Sequence, residues 1–385
     1  MTPVVDLTAG DPLDAQIAHA AGAPPSTRWR RMHRAALGLS ATRVPLFLML
    51  AAGALLGPHG AAVLSPSALD ALQPLVPVAL AGLGILLGIG LDLRSWRDVR
   101  MLDAGSLEAT VTMLTIAGVY VFAAGSFAAD LPLVLGGVLI AVCGGASTSH
   151  PASYSQSAAG MRALRLIDLD DIVPVIVGAV AVTIGVARAP LGDTAIALVK
   201  GAGVGAALAL AGRLLAAETE SDGERRVFVI AVLLLVAGAA EYLRVPSLFV
   251  GMVAGLVWGA TDRGERLTSH ARYLQHPILV TLLVIAGARV APSAAALWLA
   301  GLFVLARTVG KFAGGWIASV AFKREIPPIA AVRGLSPGLV GIALALTIER
   351  SFPAGTAGGL LVAAVVIGSV VSDLLSLVIE PEELA

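Results

Sequence analysis

Charge is scarce in this sequence. Asp, Glu, Lys and Arg make up 14% of its 385 residues, where a soluble domain carries about 25%. A chain so short of charge has little surface to offer water. The acidic and basic residues cancel to a formal net charge of +0, which removes any electrostatic case for nucleic acid. One cysteine, Cys143, excludes a disulfide framework within the chain and reads as a small packing residue. Aromatics are 5%, so the apolar mass is Ala, Leu, Val and Gly, which suits close packing between membrane helices. The opening 34 residues contain no apolar core of the kind a secretory signal needs. No Walker loop, HExxH motif or Cys/His cluster stands in the sequence, so no enzyme and no cofactor is expected.

What the chain does have is long apolar runs. Hydrophobic residues are 57% of it and the mean hydropathy is +0.88. A helix needs about 20 apolar residues to cross the hydrocarbon core, whereas a membrane β-barrel would show alternating segments of about ten. The runs predict an all-α polytopic protein of about 12 transmembrane helices, near 38–57, 74–93, 105–127, 131–155, 161–187, 192–212, 227–242, 246–261, 276–290, 293–320, 328–348 and 355–379. Around them lie a cytoplasmic tail over 1–34, a transmembrane domain over 35–380 and a short cytoplasmic end over 381–385. With the N-terminus inside, seventeen of the 26 Lys and Arg fall on inside loops and four outside. That bias predicts a multi-pass protein of the cell (inner) membrane with both termini cytoplasmic. Arg28, Arg30, Arg31 and Arg34, just before the first run, suit topology setting or contact with anionic membrane lipid.

Two strings resemble each other. Val44-Pro45 leads into Ala52-Gly53-Ala54-Leu55-Leu56-Gly57, and Val245-Pro246 leads into Ala254-Gly255-Leu256-Val257-Trp258-Gly259. They lie in spans one and eight, an odd shift, so the second copy is inverted. Inverted repeats, here about 38–187 and 246–379, are a common plan of secondary transporters. The correspondence pairs span four with span eleven, and both are interrupted. One carries Gly144-Gly145-Ala146-Ser147-Thr148-Ser149-His150-Pro151, the other Arg333-Gly334-Leu335-Ser336-Pro337-Gly338. Paired breaks at membrane depth point to a binding site. The bland alternative is a pair of packed proline kinks.

Asp170-Asp171 precedes the apolar run from Ile172 to Val186. Carboxylates at such depth face a cavity or a partner. A group there holds a proton or a cation and does not easily stay bare. The competing reading makes the pair the cytoplasmic end of span five. Lys311 lies mid-span in segment ten, with Arg307 one turn earlier on the same face. A base at that depth needs an acid, and Asp170 and Asp171 are the natural candidates. Ser147 and Thr148 offer hydroxyls for a dehydrated Na⁺, or serve as caps. Glu108 reads as a residue near a span end, and Asp373 as an offset to Arg333.

The ordered set resembles a family. Ala51-Ala52-Gly53-Ala54-Leu55-Leu56-Gly57-Pro58-His59-Gly60 and Gly82-Leu83-Gly84-Ile85-Leu86-Leu87-Gly88-Ile89-Gly90-Leu91-Asp92-Leu93 are similar to the first helices of bacterial monovalent cation/proton antiporters. The Ser147-Thr148 break, Asp170-Asp171, Lys311 and the second break follow in that family's order across roughly residues 40–380. The resemblance implies two crossed broken helices, a core domain moving against a dimerisation domain, and a homodimer. It implies Asp171 as the shared site for the transported metal cation and the proton, and Asp170 as the partner of Lys311, with Arg307 the other basic candidate. The cargo would be Na⁺, or K⁺ or Li⁺, against H⁺. The chain departs from the family in its short stretch from Thr148 to Asp171, and in Ser336-Pro337-Gly338-Leu339, which lacks the Arg and Glu often found after that proline. Two other readings stay open: a Na⁺-coupled organic-anion symporter, and a channel or sensor subunit of a larger assembly.

Overall fold

A computed structural model describes residues 46–91, 99–123, 133–147, 170–187, 190–219, 221–260, 271, 273–321, 338–352 and 357–379. Among them the elements are all helical: α1 (Leu46–Leu56), α2 (Pro66–Leu72), α3 (Leu75–Gly90), α4 (Val99–Ala123), α5 (Leu133–Gly145), α6 (Ile172–Ala187), α7 (Leu191–Ala217), α8 (Asp222–Leu243), α9 (Ser247–Gly259), α10 (Gln275–Ala288), α11 (Ala294–Ala321), α12 (Gly338–Ser351) and α13 (Ala357–Ile379). Within the described residues each apolar run of the sequence overlaps one of these helices, and α2 is an extra element.

Within the described residues, α4, α7, α8, α11 and α13 are each long and apolar enough to cross a membrane, and α2 with α3 qualifies as a pair bent by 50°. The others are shorter. For α5 and α12 the reason lies in the sequence: α5 stops at Gly145, where the first break begins, and α12 starts at Gly338, directly after Pro337. Gly338 has φ 64°, a left-handed value that a side chain disfavours. Arg244, also left-handed, closes α8 and leads through Val245-Pro246 into α9.

Glycine sets how closely the helices approach. A Cβ on Gly53 of α1, or on Gly57 just after it, would strike the backbone of Val284 or Ala288 in α10. One on Gly255 or Gly259 of α9 would meet Ile85 or Ile89 in α3. Gly287 of α10 lies against Leu50 and Ala54, as Gly88 of α3 lies against Met252 and Leu256. The second set is the first moved by one fixed shift per helix, and for α1 and α9 that shift is the alignment of the two glycine strings. Residue numbers rise together across both contacts, so α1 runs parallel to α10 and α3 parallel to α9.

The packing divides the helices into two bundles. α1, α3, α7, α8, α9 and α10 contact one another extensively, as do α4, α5, α6, α11, α12 and α13, while contacts between the sets are sparse. We refer to them as the scaffold bundle and the core bundle. Large apolar side chains such as Val199, Leu214, Leu235, Leu305 and Trp316 are exposed along the outward faces of α7, α8 and α11. These faces suit hydrocarbon. The charged groups treated next all belong to the core bundle.

Candidate functional site

The centre of the core bundle is the crossing of α4 and α11. Gly310 and Gly314 of α11 bring its backbone against Thr112 and Glu108 of α4. Numbers fall on one helix as they rise on the other, so the two run antiparallel. Glycines on either side of Lys311 thereby place its side chain among neighbours that a bulkier helix face would hold away.

Lys311 donates from Nζ to Asp170 Oδ2 at 2.9 Å, to Glu108 Oε2 at 3.0 Å and to the Gly145 carbonyl at 3.3 Å. The carbonyl is available because α5 ends there, and the last four carbonyls of a helix lack a partner within it. Asp170, Glu108 and Lys311 are 1%, 2% and 1% exposed, so both ion pairs sit in apolar surroundings where a lone charge would be costly. Thr112 donates to the other oxygen of Glu108, Oε1, at 3.1 Å.

The first break joins the cluster directly. Ala146 and Ser147 follow α5 out of helical conformation. The Ser147 backbone N–H donates to Asp171 Oδ1 at 3.1 Å, and its hydroxyl accepts a long bond of 3.4 Å from Arg307. Asp170 and Asp171 precede Ile172 at the start of α6, which packs on α5. Asp171 is half-buried, unlike its neighbour. Arg307 is fully buried and lies within the fields of Asp170, Glu108, Asp171 and Asp373. Asp373, from α13, is also buried.

Of the residues singled out in the sequence, the structure thus brings together Asp170, Asp171, Ser147, Lys311, Arg307, Gly144 and Gly145. Gly144 packs under Ile116 and Phe303. Gly338 opens α12, which contacts α5. Thr148, Pro151, Pro337 and Arg333 lie outside the described residues. Cys143 is buried in α5, its thiol donating to the Leu139 carbonyl at 3.3 Å, as packing requires.

Sequence reasoning missed Glu108. Hydropathy started the span at 105, which left Glu108 near its end, but α4 begins at Val99 and carries Glu108 to the buried crossing. Asp373 bears on Arg307, while Arg333, its expected partner, lies outside the described residues. One usable signal existed for each. Two bases one turn apart in an apolar segment need several acids, and the chain has few others at depth.

No protein-family profile matches the chain, and no curated protein does. Its fold is similar to that of the sodium/proton antiporter MjNhaP1 from Methanocaldococcus jannaschii. The structure of that protein at pH 8 matches with a TM-score of 0.62 and 17% identity, over 90% of this chain and 97% of that one. Its electron-microscopy structure matches with a TM-score of 0.62 and 18% identity, over 96% and 92%. The chain thus shares the helical fold of that protein, and several of its described helices are long and apolar enough to cross a membrane, as a multi-pass membrane protein requires.

Proposed function

We propose that this chain exchanges a monovalent cation for protons across the cell membrane by alternating access, with Asp171 as the site that both ions share. The observation that carries the proposal is the division of labour within the acidic pair. Asp170 is committed to Lys311 at 2.9 Å, while the half-buried Asp171 faces the broken end of α5 through the Ser147 amide. Among the described residues four carboxylates, Glu108, Asp170, Asp171 and Asp373, gather around two bases, Lys311 and Arg307. Carboxylates gathered at such depth are costly and face a cavity or a partner. At the half-buried Asp171 a proton and a cation compete for the same oxygens.

Na⁺ suits the site better than K⁺. It is the smaller, harder ion, and oxygen donors are what the break offers: the Asp171 carboxylate, with Ser147 beside it. The sparse contacts between core and scaffold bundles favour movement of one against the other. In that movement the core bundle carries the site between the two faces, with both termini cytoplasmic and the scaffold bundle the surface for a second copy. The likeness to a sodium/proton antiporter supports the same reading.

The test is cation-driven proton flux in vesicles containing only the purified protein, with Na⁺, K⁺ and Li⁺ offered in turn. Flux with Na⁺, abolished in Asp171→Asn, is the expected outcome. A protein inactive alone would point to the subunit reading. Full exchange in the variant would remove Asp171 from the mechanism.

A further inference from the structure

We infer that Glu108 is a second counter-ion for Lys311, a fixed anchor on α4 that holds the ammonium at the α4–α11 crossing independently of Asp170. The inference rests on the exchange reading above and deepens it. A lysine ammonium has three donors and no acceptor. Here all three are used, on Glu108, Asp170 and the Gly145 carbonyl.

The two carboxylates are not equivalent. Glu108 projects from the interior of α4, its second oxygen tied to Thr112 one turn along the same helix. The α4–α11 crossing that sets its distance to Lys311 is interlocked at Gly310 and Gly314. Asp170 stands at the mouth of α6, beside the broken end of α5 and next to the proposed ion site. Glu108 is therefore fixed, and Asp170 is placed to respond.

If Asp170 were the sole partner, any displacement of it would strand a buried ammonium. With Glu108 in place the ammonium keeps a carboxylate and a carbonyl. Lys311 is then a positioning residue, held from two directions at the centre of the core bundle. The other charged groups that bear on the cluster are Arg307 of α11, Asp171 ahead of α6 and Asp373 of α13. None of them is hydrogen-bonded to Lys311 among the contacts above.

The experiment measures Na⁺-driven proton flux against pH for wild type, Glu108→Gln, Glu108→Asp and Asp171→Asn. Removing one negative charge beside the acidic pair makes proton uptake there harder. The midpoint of the Glu108→Gln profile should move to lower pH by about one unit, and Glu108→Asp should restore most of the wild-type position. A role in packing alone would lower the rate at every pH and leave the midpoint where it was. That result, or an unchanged profile, overturns the inference.

A second readout does not depend on transport, namely the pH dependence of thermal unfolding in detergent. It should change in Glu108→Gln and not in Glu224→Gln, an exposed control on α8. An inactive wild type that still shows this change would sink the exchange reading and leave Glu108 as the counter-ion. Active exchange with neither change sinks the Glu108 inference alone. Should Glu108→Gln not fold, Glu108→Asp carries both readouts: its retracted carboxylate should give a smaller displacement in the same direction, and its absence overturns the inference.

Discussion

Lys311→Met and Asp170→Asn remove opposite ends of one ion pair, and the structure makes their costs unequal. The methionine variant takes the ammonium from two carboxylates at once, at 2.9 Å and 3.0 Å, both nearly inaccessible to solvent. Removing one member of a buried pair costs about 3–5 kcal/mol, because the charge left behind has neither partner nor water. The asparagine variant leaves Lys311 with Glu108 and the Gly145 carbonyl, so it loses about one charge-assisted hydrogen bond, roughly 1.5–3 kcal/mol. The chain supplies its own reporter. Its one cysteine, Cys143, is buried in α5 next to the cluster, so a thiol-reactive dye responds when the core bundle opens. We expect the unfolding midpoints to fall in the order wild type, Asp170→Asn, Lys311→Met. The deficit of Lys311→Met should shrink as pH falls, since a protonated carboxyl group no longer needs a counter-charge. Equal midpoints for the two variants, or a Lys311→Met deficit indifferent to pH, would refute the two-carboxylate account of Lys311.

Gly255→Val should sharply reduce the yield of folded protein, because its Cβ would strike the backbone of Ile85 where α9 crosses α3. Gly203→Ala on exposed α7 meets open space and should raise stability slightly, by up to about 1 kcal/mol; size-exclusion profiles and dye-monitored melts compare them. Arg350 of α12 reaches from the core bundle to the Gln73 carbonyl at 2.8 Å and to Glu241 of α8 at 2.9 Å, beside the Arg289–Glu349 pair at 3.1 Å. Arg350→Ala should alter the exchange rate while costing no more than about 1 kcal/mol in stability, since the pair is partly exposed. The Glu241→Arg/Arg350→Glu swap should recover part of the wild-type rate.

The apolar runs foretold where helices lie because lipid-facing and core-facing residues are both hydrophobic, and hydropathy responds to either. It failed at boundaries for the same reason. The first turns of α4 carry Arg100 and Asp103, which a hydropathy window rejects, yet the helix extends through them and sinks Glu108 into the bundle. The glycine strings in spans one and eight were legible because close helix crossings leave no room for a side chain, so the register of packing is written as small residues. That Lys311 meets one of the acidic pair followed from a simple constraint, that a base at membrane depth requires an acid; the choice of Asp170 was what the family resemblance implied. Which acid it finds is a matter of three-dimensional placement. Nothing in the spacing says that α4 and α11 cross at Gly310 and Gly314 and so add Glu108 to the same ammonium.

Direct competition at one carboxylate is best tested by measuring Na⁺ binding to the purified protein across a range of pH. The account predicts an apparent dissociation constant that rises as pH falls, and no saturable binding in Asp171→Asn. Na⁺ affinity that stays constant with pH, or that survives the loss of the Asp171 charge, would contradict it.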